Sequence, residues 1–439
     1  LRSIDFVHAT PPRIQEREIK MADTTPLANA LSVPLHFRIN EVRHTPVGPA
    51  AAPPPPALSP NLGPLAAFSG NWKGQGFNTI FRPDNSKTPT LFNPPISSDN
   101  VLELNLTTES LSFSSSLGSI PNRGSGTEGD IFLNGVPYLQ TINDVTTLPA
   151  TGIHFEPGMW LSVPATTSPT EPVTVARMAS IPHGTTIIAQ GRMFAAVAGG
   201  PVLNPVDITP FTIGNPQNKI PFPSQTATNQ NTPRIPQNLT SFIAAKTITQ
   251  AMLTDPNEVL RAQAQHQKIT ETIVIFISTN PAAPMFGGPL PAGGTPTTPP
   301  PPITPSIGGG TANIAFLLGG GTPPAPPNAQ TFQMDAVFWI ETVEYEVQVP
   351  PMPFGTPPVV LEPVQTNPAI PMQPSFVAAI PIVPGKGFAG GTVKVATTQI
   401  QYSQKVLLNF NGLSWPHVSV ANLVPADPIP IPENLLPVH

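Results

Sequence analysis

Metal or redox chemistry in this chain must rest on histidine and carboxylate side chains, because its 439 residues include eight histidines and no cysteine. Disulfides, Cys-ligated zinc or iron–sulfur sites and thiol catalysis are therefore excluded. His154 and Glu156 stand at i and i+2, so on a strand both side chains point the same way. Such a pair is either a carboxylate-oriented imidazole, useful for acid–base work or as half of a metal site, or a structural hydrogen bond closing the strand before Pro157. His417, beside Trp415 and Val418, is either an imidazole facing a pocket or a strand histidine bonded to a backbone carbonyl. His183 falls in a predicted tight turn, Ile181–Gly184, where exposure is expected. The glycine triplets at 308–310 and 319–321 lack the Lys-Ser/Thr of a phosphate loop and read as linkers, and there is no Gly-x-Ser-x-Gly elbow.

The elements that position these residues are predicted to be strands. Leu102, Leu104 and Leu106 alternate with Glu103 and Asn105, the period-2 pattern of a half-buried strand. Residues 173–178 and 185–190 flank the Ile181–Gly184 turn as a hairpin. In 331–349, Phe332, Met334, Ala336, Phe338 and Ile340 share one parity, and Val343, Tyr345, Val347 and Val349 take the other, which predicts a bulge. Residues 391–410 supply another long strand. About a dozen strands are expected, more than a flat sheet accommodates without curling or splitting. Helix is scarce: Asp255 and Glu258 read as a capping box for a helix over 256–267, and a weaker helix is expected over 241–253.

Proline and glycine make up about 22% of the chain, and charged residues only 10%. The prolines cluster at 53–56, 201–236, 281–305, 323–327, 350–384 and 425–437, where they predict turns or polyproline II loops rather than interior strands. The runs Pro53–Pro56 and Pro299–Pro302 read as stiff loops or as ligands for proline-reading modules. With 39% hydrophobic residues and a net charge of -5, the chain can build a core and does not match a disordered composition. The acidic balance, with no basic cluster, argues against nucleic acid as a partner. No apolar run reaches the roughly 18 residues needed to cross a bilayer, and the first twenty residues lack a secretory apolar segment. A cytoplasmic location is expected, with Met21 as a candidate start. Net charge near zero also permits a homo-oligomer.

The strongest local signature is FSGNWKGQG at 68–76. A Gly-x-Trp, here Gly70 and Trp72, opening the first strand resembles the calycin group of up-and-down barrels. Three further stretches are similar to the nitrobindin-like haem-binding branch: GIHFEPGMW at 152–160, VARMASIPHG at 175–184, and the pair QMDAVFWIE at 333–341 with WPHVSVANL at 415–423. The resemblance implies an antiparallel β-barrel that binds a hydrophobic small molecule, most specifically haem. It makes His417 the iron ligand, Trp72 the residue closing the base, and His154 a pocket residue. The implied reaction is redox or isomerisation chemistry on a reactive nitrogen or oxygen species. The alternatives are a haem-free carrier of an apolar molecule and a non-enzymatic, self-assembling structural protein.

The expected fold is thus mainly β, calycin-like, with long Pro-rich loops and one or two short helices. Residues 1–64 are an N-terminal extension and linker, 65–200 a barrel or the first part of one large barrel, 201–424 a second β portion with a helical insert, and 425–439 a Pro-rich tail. Family barrels are much shorter than the span of these motifs, so insertions in one barrel and two successive barrels both remain open.

Overall fold

The computed structural model describes residues 62–265, 267–285, 308–364 and 372–439. Pro53–Pro56, Pro299–Pro302, Met21 and nearly all of the 1–64 extension lie outside these residues. The architecture below belongs to the unit Ala57–His439.

Ten long strands form it: β1 (Gly70–Pro83), β2 (Asn100–Phe113), β3 (Ile131–Asp144), β4 (Thr151–Val163), β5 (Thr174–Ile181), β6 (Thr185–Met193), β7 (Lys268–Ser278), β8 (Gln330–Val349), β9 (Gly391–Phe410) and β10 (Leu413–Pro425). Each pairs antiparallel with the next, and β10 returns to β1 from Trp72↔Pro425 to Thr79↔Val418. The sheet is a single closed up-and-down barrel, which leaves no long edge unpaired. Residues 65–200 contribute six of its strands and do not close by themselves, because β6 pairs with β7 across the 194–267 insertion.

Glycine permits the two tightest seams. A Cβ on Gly76 would lie 2.0 Å from the Val420 carbonyl oxygen, and one on Gly191 would lie 1.9 Å from that of Phe276. Gly74 and Gly76 are thus explained by the β1–β10 closure, whereas Gly70 is required by its φ of 100°.

One end of the barrel is filled. A short 3-10 helix, Gly63–Phe68, inserts Leu65 and Phe68, and the Trp72 indole donates to the Phe68 carbonyl at 3.0 Å. Phe68 stacks on Phe113 at 5.1 Å, while Trp160 meets Phe338 edge-on at 5.1 Å. Fully buried side chains of this size each contribute about 2–3 kcal/mol through area removed from water, so this plug anchors the barrel.

The outer face of β1, β2 and β7–β10 is covered by the 194–267 insertion. Val206, Ile208, Leu239, Leu253 and Leu260 pack there on Leu102, Leu104, Phe276, Trp339 and Val420. The helices of this cover depart from expectation. Residues 241–253 divide into α1 (Thr240–Ala245) and α2 (Gln250–Thr254), separated at Lys246, which sits at φ 58°. The third helix, α3, runs only from Glu258 to Ala264 with Asn257 as its N-cap. Asp255 is drawn away from capping by the Val206 amide, the Asn257 amide and Arg261.

The parity switch in β8 also has a different cause. The bulge lies at Thr331/Gln333, turning Phe332 outward, whereas Val347 and Val349 have left the barrel and enter a third core, separate from the barrel interior and from the layer under the insertion. That core is capped by a small sheet of Val359–Leu361, Phe376–Ala378 and Ile429–Pro430. The Pro-rich tail is accordingly packed, with Ile431 and Leu436 buried.

Candidate functional site

Away from the Trp72 plug the barrel interior is hollow, leaving a cavity of about 580 Å³. Ile80, Ile142, Ile181, Ile187, Met334 and Phe338 form much of its apolar wall. Phe316 and Leu317 reach its mouth from a four-residue helix, α4 (Ala315–Leu318). Its polar residues come from the inward parity of the strands: Asn78 from β1, Asn105 and Thr107 from β2, Gln140 from β3, Arg177 from β5, Tyr402 and Gln404 from β9.

Strand β2 is therefore turned the other way from a simple amphipathic strand. Leu102 and Leu104 face outward beneath the cover, while Asn105 and Thr107 face the cavity and Glu109 lies behind it. The second layer makes the outside of the wall apolar and releases the inside for polar side chains.

Two buried carboxylates, Glu156 and Glu109, lie behind the cavity lining in contrasting surroundings. Glu156 Oε1 accepts from Arg177 and from the Tyr138 hydroxyl, and Glu156 Oε2 is 3.1 Å from His154 Nε2. Arg177 further donates to Tyr138 at 2.8 Å and to Gln404 at 2.8 Å. Burial by itself would raise the Glu156 pKa, but the Arg177 charge, with His154 and Tyr138, lowers it to about 2. Glu109 has weaker company: Gln140 donates to Oε2 at 2.8 Å and Tyr402 at 3.0 Å, while Oε1 has no partner among the described residues. Burial raises this carboxyl to about 7 despite those two bonds. Tyr402 is pushed well above its ordinary value by burial and by Glu109.

The residues singled out by sequence fall in different places. His154 and His417 both line the cavity, and Trp72 does not: it is buried in the plug. His183 is exposed in its turn as expected, yet it also reaches the cavity, bonded to the Ile153 carbonyl at 3.2 Å with its ring 5.9 Å from His154. His417 Nε2 lies 2.7 Å from Asn78 Oδ1, which also accepts from Ser419 at 3.1 Å. With Asn78 accepting, Nε2 carries the hydrogen and Nδ1 keeps the lone pair. Burial first, then the neighbouring His154 and His183, lowers the His417 pKa to about 3, so the ring is neutral.

For haem, these residues meet one demand and leave another open. A neutral imidazole with a free lone pair is what an axial ligand requires, and His417 supplies it. Porphyrin carboxylates call for a cation, and Arg177, the one Lys or Arg lining the described cavity, is committed to Glu156. Among the described residues, no group of three or more His, Asp or Glu is placed to hold a bare metal ion.

Arg177, Tyr138, Glu109, Gln140 and Tyr402 escaped the sequence reading. Arg177 left a usable signal, a charged residue at the parity of Val175 and Ala179. Glu109 left none, because its parity partners Glu103, Asn105 and Thr107 look solvent-facing.

No protein-family model matches the chain, and no curated protein does. Among solved structures, the crystal structure of Rv2717c from M. tuberculosis is similar at a TM-score of 0.29 and 10% identity, covering 83% of this chain and 97% of that one. The barrel described here rests on its own strand order. No helix among the described residues is long and apolar enough to cross a membrane.

Proposed function

We propose that the barrel binds a small, largely apolar molecule carrying a polar group. The observation that supports this most is the cavity itself. Its volume of about 580 Å³ falls within the usual range of ligand sites, and it joins an apolar wall to a floor of convergent polar groups. Mass spectrometry of material extracted from the purified protein tests this directly. A stoichiometric small molecule is expected, and its loss on narrowing the cavity with Ile187→Trp would locate it. Protein that neither carries nor takes up any apolar molecule would overturn the proposal.

A second reading is favoured by one observation, the neutral imidazole of His417 in the cavity. Together with the nitrobindin-like motifs, it supports haem as the ligand, held by His417, with Asn78 and Ser419 fixing the ring. Bound haem would supply redox or isomerisation chemistry on a small nitrogen or oxygen species. The chain's own contribution would be to keep His417 neutral and to shield the site from water. Titration with haemin should give a Soret band that His417→Ala abolishes or shifts. A spectrum that is the same in both proteins would remove this reading while leaving the first intact.

A further inference from the structure

The Arg177 guanidinium ties together two residues that line the cavity, His154 from β4 and Gln404 from β9. These strands stand on opposite walls, five places apart in the ring of ten. On one side Arg177 holds Glu156, whose Oε2 is 3.1 Å from His154 Nε2; on the other its Nη1 donates to Gln404 Oε1 at 2.8 Å. Glu156 is fully buried behind the lining, whereas the His154 side chain is 17% exposed and belongs to it. A carboxylate beside Nε2 fixes the tautomer: Nε2 donates its hydrogen to Glu156, and Nδ1 keeps the lone pair. The two ring nitrogens point away from each other, so with Nε2 turned to the wall Nδ1 is turned from it. Nδ1 has no hydrogen-bond partner among the described residues. Gln404 is oriented in the same way. Arg177 takes its oxygen, and its amide nitrogen, also without a partner among the described residues, is left to donate.

We propose that the barrel acts on what it binds: His154 is a general base that removes a proton from the carbon beside the carbonyl of an apolar ketone, and Gln404 donates to the carbonyl oxygen. This rests on the ligand-binding function proposed above and extends it from holding a molecule to proton transfer. In the step, the proton passes to His154 Nδ1 and the C–H electron pair forms a carbon–carbon double bond. The carbonyl π pair moves onto oxygen, where Gln404 meets the charge that develops. The imidazolium is paired with Glu156, which acts as a positioning residue and does not touch the substrate. Return of the proton to the same carbon, or to a conjugated one, restores the imidazole. The cycle therefore exchanges or shifts hydrogen and consumes no co-reactant.

Acetophenone in heavy water tests the proposal, with deuterium in its methyl group followed by mass spectrometry and binding followed by calorimetry. The protein should exchange these hydrogens faster than free imidazole at the same concentration. His154→Gln should lower the catalysed rate about a hundredfold or more while acetophenone still binds, the usual effect of losing a positioned base. Gln404→Leu should lower it by about a hundredfold, as the loss of one oxyanion donor does. Glu156→Gln should lower kcat and leave KM unchanged, a split that a merely structural role would not produce. Should these variants fail to fold, the comparison of the unaltered protein with free imidazole decides. A rate that His154→Gln does not change, or no catalysed exchange at all, overturns the proposal, and the binding function stands if calorimetry shows an apolar ligand bound. With no apolar molecule bound, both fall.

Discussion

The two halves of the barrel wall are built from the same antiparallel ladder but present different outer faces. On β7–β10 the outward side chains Phe276, Trp339, Val418 and Val420 are buried beneath the 194–267 insertion. On β3–β6 no comparable layer lies over the described wall, and Leu139, Phe155, Met178 and Ile188 are 39–47% exposed. The covered half has two cores, one on each side of the sheet. The bare half has one, and that core is interrupted by the Arg177–Glu156 pair. Apolar alternation in a strand thus marks a face that meets another layer, and that layer need not be the barrel interior.

The largest effects should come from the covered half. Trp415 is buried and stacked on Phe410 at 4.6 Å, with Phe81 and Phe222 on its flanks. Trp415→Ala should cost about 3–5 kcal/mol in urea unfolding, the range for a large aromatic removed from a core. Next is Arg234, which donates to the backbone carbonyls of Ser224, Thr226, Ala227, Asn229, Pro236 and Gln237 and so ties one part of the cover together. Arg234→Met should cost roughly 3 kcal/mol, since it strands several buried acceptors at once. Hydrogen exchange should show the loss over residues 223–240 and leave β3–β6 protected. Equal loss in both halves would mean that the cover and the wall unfold as one unit.

Much of this organisation was legible in the sequence. The hairpin around Ile181–Gly184, the long strands over 331–349 and 391–410, and the mainly β class all follow from period-2 alternation. Which face points inward did not follow, because Leu102, Leu104 and Leu106 show the same pattern whether the second layer lies inside or outside. The site was legible only where a residue type was rare in its setting, as with His154 and His417. Glu109 and Tyr402 meet across 293 positions, a juxtaposition that closure creates and that no local spacing records.

A middle-sized effect concerns pH. Under the cover, Glu341 accepts from Gln399 at 2.7 Å, its other oxygen has no partner among the described residues, and burial raises its pKa to about 8. A carboxyl whose folded pKa exceeds its unfolded value of 4.5 favours folding less as pH rises between the two. Stability should fall from about pH 5 to pH 8 by a few kcal/mol at most, taking about 1.4 kcal/mol per pKa unit as the upper rate. Glu341→Gln should reduce that slope and leave the part that Glu109, raised to about 7, contributes with the same sign. Glu156 has the opposite sign: its stabilisation is present above pH 4.5 and is lost as pH falls towards 2. Its removal should leave the neutral-side slope unchanged. A melting temperature that does not vary between pH 5 and pH 8 would show that Glu341 and Glu109 both find compensating partners.

The smallest effects are expected on the bare wall, and they test the contrast most sharply. Met178 and Ile188 face each other across β5 and β6 and are 41% and 44% exposed. Met178→Thr and Ile188→Thr should each change stability by about 0.5 kcal/mol or less, as partly exposed strand positions do. Val420→Thr, the same kind of change at a position 1% exposed under the cover, should cost about 1–3 kcal/mol, because it buries a hydroxyl where a methyl was packed. The difference between the two sets measures what the second layer contributes to a single strand position. If Met178→Thr proves as costly as Val420→Thr, then the outer face of β5 and β6 is buried in the protein in solution, and the barrel would be enclosed on both sides.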